Sequence, residues 1–186
     1  MLIPKWLRVQ RLCLFVFFAL GILLLAYALG FLTNAYIFFA FGDKALREFY
    51  NEMQGINTEL LFKAVIAILI ALALFMVQIN KRAAGRYTLC IMVLICIVSL
   101  FISIDSIIKI AVLRHEYTLL DLSELDWYIE RGTISYSYST FVFDLGLIKY
   151  GLFAAAAVFM TAVVARNAVT VVDDYKKRVP SAGGKP

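Results

Sequence analysis

Seven polar side chains interrupt a chain that is otherwise apolar over long stretches: Asn34, Glu59, Lys63, Asp105, Lys109, Asp144 and Lys149. Carboxylates and lysines that converge within apolar helices mark an ion or solute path, or a place for a lipid headgroup. The plainer alternative is anchoring. Glu59 and Lys63, like Asp105 and Lys109, stand four residues apart, the spacing at which neighbours pair on one helix face. Lysines at a membrane boundary also extend their ammonium toward water. Asp144 shares a helix face with Gly151 and Ala155, and small residues usually face neighbouring helices, so Asp144 is expected to point inward toward Lys63 or Lys109.

Other reactive side chains are sparse. His115 is the single histidine, which excludes a two-histidine metal site within the chain. Beside Glu116 it is an acid–base candidate, but an interfacial polar role fits it better. Cys13, Cys90 and Cys96 read as small packing residues. No glycine-rich phosphate loop, Gly-x-Ser-x-Gly or Cys-x-x-Cys occurs. The expectation is a non-enzymatic protein with no cofactor and no metal.

Helices must position the polar residues. The chain has 186 residues, 63% of them hydrophobic, and a mean hydropathy of +0.86. That balance lies outside the range of soluble domains and leaves no length for a separate one. Its formal net charge of +5 sits in short basic clusters beside apolar runs, a pattern that orients membrane helices and makes nucleic acid a poor partner. About 20 apolar residues at ~1.5 Å each cross a bilayer core. Four spans follow, at about 12–34, 58–79, 87–110 and 143–165. The first is too long for a signal-peptide core, so it reads as a retained helix. Lys5, Arg8 and Arg11, then Lys81, Arg82 and Arg86, then Arg166, Lys176, Lys177, Arg178 and Lys185 fall on one side of such a topology. The positive-inside rule makes that side cytoplasmic and assigns the protein to a plasma (inner) membrane with both termini inside. Counted inward from these anchors, the polar side chains named at the outset share one level near the outer boundary, and no charge reaches a midplane.

Two outer loops, 43–57 and 114–140, carry local signals of their own. Lys44–Gln54 spaces Ala45, Leu46, Phe49, Tyr50 and Met53 as one face of a short amphipathic helix, with Asp43 as N-cap and Gly55 as stop. Asn57 is then expected to cap the second span. Ser123 to Gly132 reads as one short capped helix, and Thr133–Ser139 alternates like a strand. The apolar run through Phe38 and Phe41 exceeds what a bilayer needs and must tilt or pack outside. Phe49, Tyr50, Trp127 and Tyr128 are the candidate contacts of a small outer cap, with Trp127 and Tyr128 over the Phe38–Phe41 extension. Small residues mark two seams: Cys96, Ser99, Ser103 and Ser106 on the third span, and Ala26 with Gly30 on the first. The segment 171–186 reads as a basic cytoplasmic tail with a disordered end.

The expected architecture is an all-α integral membrane protein, a four-helix antiparallel bundle occupying residues 1–170 under an extracytoplasmic cap of short helices. Spans two and three, joined by a few residues, should form a tight hairpin. The topology resembles that of claudin-like tetraspan proteins, without the tryptophan and paired-cysteine signature of their first outer loop, and topology alone does not carry function. The expected partners are the lipid bilayer and a membrane protein or a second copy of the chain. The expected role is an accessory or scaffold subunit, and the rival role is a small transporter or oligomeric channel. Orientation is testable by thiol labelling of intact cells: cysteines placed at Glu52 and Ser137 should react from outside, and one at Ala84 only after permeabilisation. Outside labelling of Ala84 would reverse the topology.

Overall fold

The computed structural model describes residues 5–33, 35–79 and 86–178. All regular structure in them is helical: α1 Lys5–Gly30, α2 Tyr36–Phe41, α3 Lys44–Ile79, α4 Arg86–Leu119, α5 Ser123–Glu130 and α6 Phe141–Arg178. Four of these, α1, α3, α4 and α6, contain segments long and apolar enough to cross a membrane, Arg8–Gly30, Lys44–Met76, Cys90–Leu119 and Phe141–Asn167. Asn34, the turn at 80–85 and the tail from 179 onward lie outside the described residues. The segment 171–178, expected as tail, continues α6.

The long helices outrun the expected spans. At ~1.5 Å per residue, the 36 residues of α3 and 34 of α4 exceed the ~30 Å of a bilayer core by several turns. The expected break at Gly55–Asn57 does not occur, and 43–57 is mostly helix rather than loop. A glycine costs a helix about 1 kcal/mol relative to alanine, too little to interrupt a cooperative helix supported on both sides. Asn57 lies inside α3 rather than at its start, while the Thr58 hydroxyl bonds the Gln54 carbonyl one turn back at 2.9 Å. Asp43 acts as expected: its carboxylate accepts the Leu46 N–H at 2.8 Å, capping the start of α3.

Side-chain size decides which helices meet. α4 packs chiefly on α6, and α1 lies against both α3 and α6, whereas α3 and α4 touch sparsely despite their short connection. Ala64, Ala67 and Ala71 form a fully buried row on α3, and Gly21 of α1 sits so near Ile68 that an added Cβ would lie 3.2 Å from its Cγ1. A row of alanines facing a glycine lets two backbones approach and leaves little of that face for α4. On α4 the expected seam is buried throughout: Cys96, Ser99, Ser103 and Ser106 are all at 0% exposure. Their hydroxyls bond carbonyls of their own helix, Ser99 to Ile95, Ser103 to Ser99 and Ser106 to Ile102 at 2.8–3.1 Å, so the stripe contributes closeness rather than bonds between helices.

The expected small-residue face of α6 is not the packed one. Gly151 meets nothing within 4 Å of its Cβ position and Ala155 is exposed, as are Ala26 and Gly30 on α1. The buried row is instead Phe143, Gly146, Tyr150, Phe153, Ala157 and Met160. At its centre Tyr27 of α1 reaches across Gly146, where a Cβ would collide with the phenol and come within 3.1 Å of Ile110 of α4. Phe17 and Phe153 stack one layer further along, with centroids 4.4 Å apart. These contacts join α1, α3, α4 and α6 in one apolar cluster.

Two glycines of α3 and α6 should therefore respond oppositely to alanine. Gly55→Ala, in open space, should raise stability by about 0.5–1 kcal/mol through helix propensity alone. Gly146→Ala should cost about 1–3 kcal/mol as overpacking, and Tyr27→Phe should recover part of that loss. Thermal unfolding of the three variants in detergent measures the contrast, and a neutral Gly146→Ala would show that Tyr27 does not hold the helices at this distance.

Candidate functional site

Four of the polar residues come together. Lys63 of α3 pairs with Asp105 of α4, and Lys109 of α4 pairs with Glu59 of α3. The within-helix pairs close the square, Lys63 to Glu59 at 3.4 Å and Lys109 to Asp105 at 3.5 Å. Each ammonium thus contacts both carboxylates, and the quartet is neutral. Both within-helix pairs had been legible from spacing; the cross-helix pairs had not. The lysine side chains are the more covered members, at 17% and 32% exposure against about half for the acids. Their stems lie along the helices while the carboxylates stay at the accessible edge.

Asp144 does not join this square. Its carboxylate accepts a hydrogen bond from Arg114 Nε at 2.7 Å and another from the Thr140 hydroxyl at 2.8 Å. It stands in the first turn of α6, where a negative charge also meets the helix dipole favourably. The expectation that it faces Lys63 or Lys109 fails because the glycine and alanine beneath it do not face the core. Arg114 carries no sequence signal for this role: it lies 30 residues from its partner, and only the folded chain brings them together. Lys149 pairs with no acid among the described residues; its ammonium lies 5.4 Å from the centre of the Tyr27 ring. Asn34, the remaining member of the expected layer, is outside the described residues.

Beyond the quartet, the Lys44 end of α3 and the Leu119 end of α4 carry an aromatic cluster centred on Phe38 of α2, which is 2% exposed. Phe49, Tyr117 and Tyr136 all pack on it, with ring centroids 6.0, 6.2 and 5.4 Å away. Tyr117 also meets Phe143 of α6 at 5.4 Å, and its hydroxyl lies 3.1 Å from that of Tyr136. Burial raises the Tyr136 phenol above its ordinary pKa, and the bond to Tyr117 adds to the shift. Each such ring pair contributes about 0.5–1.5 kcal/mol beyond the area it buries. Of the four expected contacts, Phe49 is buried, Tyr50 meets Phe39 at 5.7 Å and Tyr128 meets Phe41 at 5.0 Å.

Trp127 behaves differently from the expectation. It turns away from the Phe38–Phe41 helix, touches Tyr128 edge-on at 4.7 Å and stays 49% exposed. The Arg131 guanidinium lies over its ring at 3.8 Å. Position in α5 explains this: Leu125 takes the buried face, and Trp127, two residues on, points to the far side. The helix begins without a side-chain bond from the capping position, Leu122; the Asp121 carboxylate accepts the Ser123 N–H at 3.0 Å, a bond that holds Asp121 below the usual carboxylate range. Gly132 ends it as expected, at φ +68°, with Thr133 N–H on the Tyr128 carbonyl and Gly132 N–H on that of Ile129. Residues 133–140 form no strand or other regular structure, with Tyr136 packed on Phe38 and Tyr138 bonded to Asp126.

Comparison with protein-family models, with curated proteins and with solved structures finds no match to the chain. Function must be argued from this geometry.

The square of charges yields a direct test of anchoring against working site. A variant with all four signs exchanged (Glu59→Lys, Lys63→Glu, Asp105→Lys, Lys109→Glu) keeps every opposite-charge contact. As an interhelix tie it should fold with a melting temperature close to wild type, while Lys63→Glu alone should lower it. A folded, stable exchange variant that loses the phenotype of the wild-type gene would instead mark the square as a working site.

Proposed function

We propose that the protein is a non-enzymatic membrane subunit, a four-helix antiparallel bundle whose outer cap docks a membrane-embedded or extracytoplasmic partner. The observation that carries this reading is the exposed edge of the aromatic cluster. Trp127 under Arg131 and Tyr138 beside Asp126 sit on a firmly packed base yet remain about half exposed. Trp, Tyr and Arg are the residue types that dominate binding energy at protein interfaces, and a preorganised base reduces the entropy lost on docking. The antiparallel arrangement is supported by the order of the cross-helix pairs, since 59 meets 109 while 63 meets 105. The expected membrane orientation places this edge outside. The self-neutralising quartet supports the same reading, because its charges are spent on one another rather than held for a solute.

Transport through the charged layer is the second reading, and the accessible carboxylate edge of Glu59 and Asp105 is the feature in its favour. Purification of tagged wild type and a Trp127→Ala/Arg131→Ala variant in mild detergent separates the two. The docking reading expects a stoichiometric companion chain with wild type and its loss, by tenfold or more, with the variant, at unchanged thermal stability. Equal recovery of companions would remove this edge from the interface.

A further inference from the structure

We propose that Lys149, held over the face of Tyr27, binds the phosphate of an anionic phospholipid where α6 meets α1. In the polar belt, charge is otherwise balanced. Lys63 and Lys109 are neutralised by Glu59 and Asp105, and Arg114 by Asp144. Lys149 alone among the lysines and arginines of this belt has no carboxylate among the described residues. It lies eight positions along α6 from Phe141, about one turn inside the outer boundary counted back from Arg166. An ionisable residue of a spanning helix without a protein partner is by default a binding candidate.

Tyr27 supplies only part of that compensation. A ring 5.4 Å from the ammonium attracts it through its quadrupole, but offers its three N–H donors no acceptor, and no carboxylate among the described residues does so either. The ring itself is fixed, wedged over Gly146 and packed on Phe31 and Tyr150, so the lysine rests on a rigid floor. Beside Tyr27 the surface of α1 is open. Gly30, one turn beyond Tyr27 on α1, is exposed, and a Cβ there would meet nothing within 4 Å. Leu145 and Leu152 occupy the same row of α6 as Lys149, half-buried and exposed respectively. An anion between a lysine and an open glycine, with an exposed leucine one turn deeper for an acyl chain, is the outline of a phospholipid. The bilayer is also the one source of phosphodiester always present at this depth, and basic pockets between membrane helices take such headgroups.

Lipid titration of the purified protein in mild detergent tests the proposal. Phosphatidylglycerol should raise the melting temperature and persist as a bound adduct in native mass spectrometry. Phosphatidylcholine and inorganic phosphate should do neither. Lys149→Gln should weaken phosphatidylglycerol binding about tenfold, the scale expected for loss of one charge-assisted contact, and Lys149→Arg should retain it. Lysine footprinting of the wild type gives a measurement independent of any variant: phosphatidylglycerol should slow acylation of Lys149 but not of Lys63 or Lys109. Equal phosphatidylglycerol binding by wild type and Lys149→Gln, or unchanged acylation of Lys149, would overturn the site. A response to inorganic phosphate of equal size would overturn its assignment to a lipid.

Discussion

Charge beside apolar helices has to be neutralised where it stands, and the square formed by Glu59, Lys63, Asp105 and Lys109 does this with two turns of two helices. Much of the remaining structure depends on it. α3 and α4 share little apolar contact, because α3 gives its alanine face to α1 and α4 gives its serine face to α6. The ion pairs therefore link two consecutive helices directly, together with the Phe49–Tyr117 ring contact. All four stand near the outer boundary with the acids half exposed, so each pair contributes on the scale of surface ion pairs, about 0–1 kcal/mol, while neither helix is left with a lone charge there.

Side-chain type changes along the two helices at the square. On one side their faces carry leucine, isoleucine, phenylalanine and small residues, in an apolar cluster that runs on past the square to Phe38, Phe49 and Tyr117. On the other, the aromatic residues of α2, α5 and the 133–140 segment gather on Phe49 and Tyr117. Phe38 joins them because the chain reverses after α1: the Thr33 N–H and hydroxyl both bond the Gly30 carbonyl, ending the helix and turning the next apolar stretch back onto α3. Of that apolar excess, Ile37 and Phe38 are buried by protein, while Tyr36 and Phe39 stay exposed. Function, on the reading proposed above, follows from what that burial leaves outside: Trp127 and Tyr138, carried on the aromatic cluster around Phe38.

Features carried by one-dimensional quantities were legible in the residues alone. Run length and hydropathy identified four apolar helices, Asp43 and Gly132 marked a start and a stop, and four-residue spacing placed Glu59 with Lys63 and Asp105 with Lys109. The Cys96–Ser106 stripe was legible for the same reason, since small side chains at helical spacing are visible without a partner. Where a local signal met a cooperative one, the local reading failed. Gly55 and Asn57 look like punctuation, yet the helix runs through both because its hydrogen bonds gain more from continuity than one glycine costs.

The tertiary structure alone decided which faces meet, and with them most of the candidate site. Gly146 rather than Gly151 is the close contact of α6, because Tyr27 reaches it from a helix more than a hundred residues earlier in the chain. Asp144 turns to Arg114 instead of to the lysines, and Lys149 is left over an aromatic ring, once that rotation of α6 is set. Helix rotation about its own axis depends on the summed fit of side chains from other helices. No spacing within one segment encodes that sum, so the level of the charges could be counted along the chain but their partners could not.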